Sequence, residues 1–492
     1  MFDVRNHTRK LALAAIGAAA LGFAANAQAD DDDGDGGIGF AKPTFVSTTL
    51  AGGEPLVFAD NVHHTLLYTS HEGTTHLYRN GFATIPVNWL ANYRNQVNNW
   101  YSDDNGKTWK LGQVAGVPTS AGFMGSPTMS QGFSDPDLTQ DKGGRIYNTG
   151  INLVSDSIFS TNDGGKTWDK GTAQCHEGDR PWLAGSTDKA DTAWLATNSS
   201  VSDHTILETD DGGNTCNGTT AGTGGGIPDP GGNGKLFYNP VFHELVEPNG
   251  NGVAHYKPGV DTAFAKGKDA HTGGIFAHWP NLAIDKAGTL YMVWDTANGA
   301  NGEGCPSTLT GGPADTRNAK TNLIQYAYSH DDGRTWSKPI TVQSGAYGAN
   351  GHIEFWPWLA AGDDGRINIV WYETDRAVDI DCAPVTINIK TTTILNADSK
   401  DADIKVEDAA GRAIHYGTVC QGGTTCVATG EDRRLGDFFT QAPDANGCVM
   451  IASGDTTQWD NTTYTTMPYS LPIFIRQNKG PSLYKGVDCG HL

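Results

Sequence analysis

The sequence predicts an all-β chain folded as a β-propeller of six four-stranded antiparallel blades, with a seventh blade allowed. Three observations predict it. The 492 residues include 63 Gly, 13 Trp and 16 Tyr with little helical periodicity, the composition of many short strands joined by Gly, Asn and Asp turns. A short motif recurs four times, a longer one recurs six times, and the two alternate along the chain. Units repeated at such a period bury their apolar faces only by stacking on one another.

The chain begins with a segment that the fold does not need. Arg5, Arg9 and Lys10 precede an apolar run from Leu11 to Ala25, and Ala27-Gln28-Ala29 then offers a small-x-small cleavage site. That is the pattern of a signal peptide over residues 1–29, and the run is shorter than the roughly 20 residues of a membrane span. The mature chain is therefore expected to be secreted or periplasmic, with no membrane insertion. Residues 30–37 are almost entirely Asp and Gly. Like charges without apolar partners do not order themselves, so this stretch reads as a solvated leader. Residues 38–492 remain for one propeller domain. A formal net charge of −21 argues against nucleic acid as a partner. Eight cysteines in an exported chain point to disulfides, and Cys420 and Cys426, flanking a Gly-Gly turn, are the best local pair.

The short motif has the form S/T-x-D-x-G-x-T-W. Its copies are Ser102 to Trp109, Thr161 to Trp168, Thr209 to Cys216 (with Cys where Trp is expected) and Ser329 to Trp336. Each reads as a hairpin tip. The Asp carboxylate accepts backbone N–H groups across the turn, Gly supplies a positive φ, and the Trp packs between neighbours. This is the Asp-box, and on it the chain resembles the sialidase superfamily and other Asp-box propellers over most of residues 38–492.

The longer motif runs Pro, an apolar pair, Asp at five residues, a Gly turn, then an apolar strand. Pro136 to Tyr147 and Pro280 to Tyr291 show it fully. Pro181-Trp182-Leu183 and Pro357-Trp358-Leu359 open two more copies, Pro55 begins a first and Gly436 a last. Thr386 to Leu395 alternates like a strand of the fifth unit. Asn217 to Gly234 and Asn298 to Asp315 are Gly-rich and read as insertions between blade strands.

In a propeller the innermost strands surround the central channel, so the residues just before each Pro-x-Leu converge on one end of it. They are Glu54, Asp135, Asp179-Arg180, His278-Trp279, His352 with Glu354 and Trp356, and Arg433-Arg434 with Asp437. The resemblance implies particular roles for some of them. Sialidases use three arginines on a substrate carboxylate, an Asp as acid/base and a Tyr nucleophile assisted by a Glu. Carried onto this sequence, Asp135 is the acid/base, Glu354 the assisting carboxylate, and Tyr464 or Tyr469 the nucleophile. Arg180 and Arg434 are the arginines. Asp179, His278, Trp279, His352, Trp356 and Asp437 are substrate-binding candidates by position. The Arg-Ile-Pro motif of the family's first arginine is absent, and Glu54-Pro55-Leu56 stands in its place.

The sequence thus predicts a glycan partner and a glycoside hydrolase at the channel. The alternative is a non-catalytic propeller binding a glycan, a protein or a cell surface. No metal centre or other cofactor is expected, except that calcium suits an exported acidic chain.

Overall fold

The computed structural model describes residues 37–491 apart from 74–75, 79–95, 115–131, 152–155, 170, 177, 199–204, 217–225, 229–233, 272–277, 279, 298–321, 346–350, 382, 424–425, 427–429 and 461–464. The signal and leader expectations, Trp279, Tyr464 and the Asn298 to Asp315 loop lie outside the described residues. No described helix is long and apolar enough to cross a membrane.

Seven antiparallel sheets follow one another along the chain. Their innermost strands are Leu56–Asp60, Leu138–Gln140, Asp179–Gly185, Phe237–Asn239, Asn281–Ile284, Glu354–Ala361 and Thr440–Pro443, and they define blades 1 to 7. Each innermost strand touches that of the next blade, and blade 7 touches blade 1, so the ring closes. The closure uses both ends of the domain. Gly39–Phe40 and Thr44–Phe45 both pair with Leu471–Lys479, which makes the N-terminal segment the outer edge of blade 7. A closed ring leaves the free edges of the innermost strands short and sheltered around the channel.

The architecture is therefore the predicted propeller, with seven as the blade count. The blade that sequence counting did not see is blade 4. Its strands are Phe237–Asn239, Glu244–Asn249, Gly252–Tyr256 and Ala265–Asp269. In other blades the Asp of the longer motif closes the first hairpin. Asp141 Oδ1 accepts from the N–H groups of Gly143 and Arg145 at 2.8 and 3.1 Å, and Oδ2 accepts from the Tyr147 hydroxyl at 2.8 Å. Asp285 repeats this with Ala287, Thr289 and Tyr291. Blade 4 gives the task to Asn239, whose Oδ1 accepts from Val241 N–H at 3.0 Å. Of the stretch read as an insertion before this blade, Ile227–Pro228 is the outer strand of blade 3.

The four short motifs fold alike. In the second, Thr167 donates to the Asp163 carboxylate through its N–H at 2.9 Å and its hydroxyl at 2.6 Å, while Gly165 N–H donates to Thr161 Oγ1 at 3.2 Å. Each loop leans on the preceding blade. A Cβ on Gly165 would sit 2.8 Å from Leu67 of blade 1, and one on Gly213 would sit 3.1 Å from Ile158 of blade 2. The third motif lacks its Trp, and there Cys216 is bonded to Cys175 of blade 2. A covalent link between blades replaces an aromatic one. Cys420–Cys426 and Cys448–Cys489 are the other described disulfides.

The long strand Val385–Ile394 of blade 6 shows how the blades pack. Val385, Ile387 and Ile389 are buried and Thr386, Asn388 and Lys390 are only partly so. This period of two puts one residue of each pair against the next sheet.

Candidate functional site

The residues that enter the innermost strands share one backbone device. Glu54, Asp135, Arg180 and Trp356 have φ of 47°, 53°, 58° and 52°, and Gly234 and Gly436 take positive φ at the same place in blades 4 and 7. Non-Gly residues seldom adopt this left-handed region, and four of them doing so at or just before the start of the innermost strands store local strain at one end of the channel. The turn directs their side chains toward one another.

Asp437 is the hub. Its Oδ1 accepts from Arg433 Nη1, and its Oδ2 accepts from Arg433 Nη2 at 2.5 Å and from Arg180 Nη2. Burial opposes charge on Asp437, but the two guanidinium groups outweigh it and hold the carboxyl well below the usual range. Glu54 Oε1 accepts from the Asp437 N–H at 3.0 Å, lies 3.2 Å from His76 Nε2 and lies 3.7 Å from Arg433 Nη2.

The neighbouring carboxyls are shifted the other way. Burial, with Asp437 adding to it, pushes Glu54 up to about 7. Burial and then Glu54 push Asp135 up to about 6, against the pull of Arg180 and the Ser134 hydroxyl, which donates at 2.5 Å. Asp179 at the rim rises to about 6, through loss of solvent and then the charge of Asp135. Asp156 is fully buried with neither carboxylate oxygen hydrogen-bonded, and its pKa is raised well above the ordinary value by burial, then by Asp135 and Asp179. His71 and His76 stack with ring centroids 3.8 Å apart. Burial holds both neutral, His76 at about 3.

An aromatic floor lies under this group. Phe438 contacts Trp182 at 5.4 Å and Trp358 at 5.8 Å between ring centroids. Above it a small recess is lined by Trp182, Lys235, His278, Trp356, Asp437 and Phe438, with room of about 20 Å³, enough for one water. Below it the channel is a largely apolar cavity of about 480 Å³ bounded by residues of all seven blades, from Leu56 and Phe58 to Gln441. His278 enters the recess from blade 5. Its Nδ1 bonds Asp295, and its Nε2 lies 2.5 Å from Gln421 Oε1. Burial disfavours its charge, but Asp295 raises its pKa overall.

The structure thus brings together Asp135, Asp179, Arg180, His278, Trp356 and Asp437 with Glu54. It does not bring Glu354 or Arg434 to the same contacts. Glu354 is buried in blade 6, where Oε1 lies 2.5 Å from His352 Nδ1 and Oε2 accepts from Trp371 Nε1 at 2.5 Å. Burial and then Glu373 push it up to about 9. His352, Glu354 and Glu373 form a separate group of three donors. Arg434 is spent on Asp432 and on the carbonyls of Thr456 and Met467. Tyr469 is buried and its hydroxyl donates to Thr49 O at 3.3 Å.

Sequence reasoning missed Lys235, Asp156 and Asp295. Lys235 precedes the innermost strand of blade 4, so the missed blade hid it. It bonds the buried Asp137 and sits 3.3 Å from Leu183 O. Asp156 sits on the third strand of blade 2 and Asp295 on the second strand of blade 5, where no motif flags them.

No protein-family model and no curated protein matches the chain. Among solved structures, it is similar to a fungal alcohol oxidase of the AA5 family in complex with copper, at 10% identity over 89% of this chain and 76% of that one, with a TM-score of 0.49. NanB sialidase from Streptococcus pneumoniae matches at 10% identity, 89% and 70% coverage and a TM-score of 0.39. The GH93 α-L-arabinofuranosidase of Fusarium graminearum with arabinobiose matches at 12%, 88% and 97%, with 0.40. At such identities the likeness is one of fold, and the seven-bladed propeller rests on the strand pairings above.

Proposed function

We propose that this chain is an exported glycoside hydrolase that acts on a neutral glycan at the carboxylate-rich end of its channel. The observation that carries the reading is a set of buried and partly buried carboxyls whose pKa values are pushed apart. Glu54 and Asp135 have pKa values of about 7 and 6, while Asp437 stays ionised between two arginines. Cleaving a glycosidic bond calls for a carboxylic acid that can donate at neutral pH beside a carboxylate that can assist.

Asp135 takes the acid/base role, Glu54 beside it shares the raised pKa, and Asp437 is the ionised carboxylate that assists, a part that Glu354, bonded to His352 and Trp371 in its own blade, does not take. Arg180 and Asp437 orient the sugar through its hydroxyls. Trp182 and Trp356 line the recess beside them. A neutral substrate fits because both arginines at the site already hold Asp437, so neither is a free clamp for a sugar carboxylate. The signal-like start and the three disulfides support export.

The test is turnover of reporter glycosides by the purified mature chain, with neutral hexosides and pentosides beside sialosides and uronides. Release from a neutral member alone supports the reading. Release from sialosides alone sinks the choice of substrate. The second reading, a glycan-binding propeller without turnover, is favoured by the aromatic floor. It predicts binding of a neutral oligosaccharide that Asp135→Asn leaves unchanged.

A further inference from the structure

We propose that the buried contact between blades 4 and 5 is a binding site for a divalent cation of the zinc class, with Glu244, His255 and Asp332 as its ligands. The three come from separate places in the fold. Glu244 opens the second strand of blade 4, His255 lies on the third, and Asp332 sits in the short-motif loop of blade 5 where it leans on blade 4. All three are buried, and their donor atoms lie within 4.8 Å of one another.

The donors are buried and short of hydrogen-bond partners. His255 is 5% exposed and Asp332 is 0% exposed, yet both ring nitrogens of His255 and Oδ2 of Asp332 have no hydrogen-bond partner. Leaving such groups buried and unpaired is unfavourable. His255 Nδ1 lies 3.4 Å from Asp332 Oδ2 and 4.0 Å from Glu244 Oε2. Zinc holds nitrogen and oxygen ligands at about 2.0–2.1 Å in a tetrahedron, which separates the ligand atoms by about 3.3 Å. The His–Asp pair already meets this spacing, and a small shift of Glu244 completes it.

The surroundings fit the same role. Asn239 Nδ2 donates to Asp332 Oδ1 at 2.7 Å, which fixes the carboxylate and leaves Oδ2 for the cation, as outer-shell partners do at metal sites. Arg334, half-exposed, reaches the same group. Its Nη2 donates to Glu244 Oε2 at 2.8 Å, but its Nη1 stays 4.0 Å from Asp332 Oδ2 and does not satisfy it. Two carboxylates balance a divalent charge. An imidazole ligand selects zinc-class ions over calcium, which takes oxygen ligands.

The experiment uses the full mature chain stripped with chelator and then titrated with zinc ion alone, with bound metal measured by elemental analysis and stability by thermal melting. One zinc per chain and a Tm raised by the metal are expected. His255→Gln and Asp332→Asn, the latter keeping a residue type that tolerates φ of 58°, are expected to fold and to lose both effects, while His352→Gln keeps them. The proposal is overturned if no stoichiometric zinc binds, if His255→Gln binds as native, if His352→Gln alone abolishes binding, or if calcium produces the same rise in Tm.

Discussion

Glu54 and Arg180 occupy the same turn in different blades, and this sets their chemistry. Each is held in a left-handed conformation that directs its side chain to the hub at Asp437. Loss of solvent raises Glu54, Asp135 and Asp179, and Asp437 alone of this group is held below the ordinary range, by its two guanidinium contacts. The consequence for stability has a definite sign. Glu54 is raised from 4.5 to about 7 in the folded chain, so folding favours its protonated form. The stability it contributes is full below about pH 4.5 and is lost as pH rises through 7. The chain is therefore expected to melt at lower temperature at pH 8 than at pH 5.5. Glu54→Gln, which cannot ionise, flattens that fall and adds on the order of 2–3 kcal/mol at pH 8. Thermal melts of both chains across this range check it, and an unchanged slope in the variant would remove Glu54 as the source.

At the scale of the blade, the short motif is a docking device. Gly165 has a φ of 84° and faces Leu67 of the blade before it. Gly165→Ala adds a methyl group at 2.8 Å from that side chain in a conformation that L-residues avoid, and is expected to cost about 1–3 kcal/mol, measured by denaturant unfolding. Cys216→Ser opens the bond from blade 3 to blade 2, which closes a separation of 41 residues, and is expected to cost about 2–4 kcal/mol. A loss that matches the reduced native chain identifies the disulfide as the cause. These devices were legible because their physics is local. A turn that needs Asp, Gly and Thr at fixed spacing writes itself into the sequence. Blade 4 was hidden because Asn239 does the work of Asp and its outer hairpin, between Tyr256 and Ala265, carries no short motif. The channel-end positions of Asp135, Arg180 and Asp437 were legible from Pro spacing, whereas Asp156 and Asp295 reach the site from strand ends that carry no turn signal. The place of Glu354 was not legible either. Its two-residue offset before Trp356 directs it to Trp371 and His352 within its own blade.

For the whole molecule, the ring is what makes a site from residues up to 383 positions apart, as Glu54 and Asp437 are. The closing strands Gly39–Phe40 and Thr44–Phe45 hold blade 7 in place, and blade 7 supplies Arg433, Asp437 and Phe438. Removing residues 38–46 is expected to lower Tm and to abolish whatever the channel end does, because blade 7 loses its outer pairing. Circular dichroism melts beside an activity or binding assay check this, and a truncated chain that keeps both would show that closure is dispensable. The central claim is that a buried acid at this end performs chemistry on a neutral glycoside. The most direct measurement is steady-state turnover of the best neutral reporter glycoside by the native chain and by Asp135→Asn. The account predicts that kcat falls by about 10²-fold or more in the variant while KM stays within a few-fold. Equal kcat in the two chains, or no turnover of any glycoside by the native one, would contradict it.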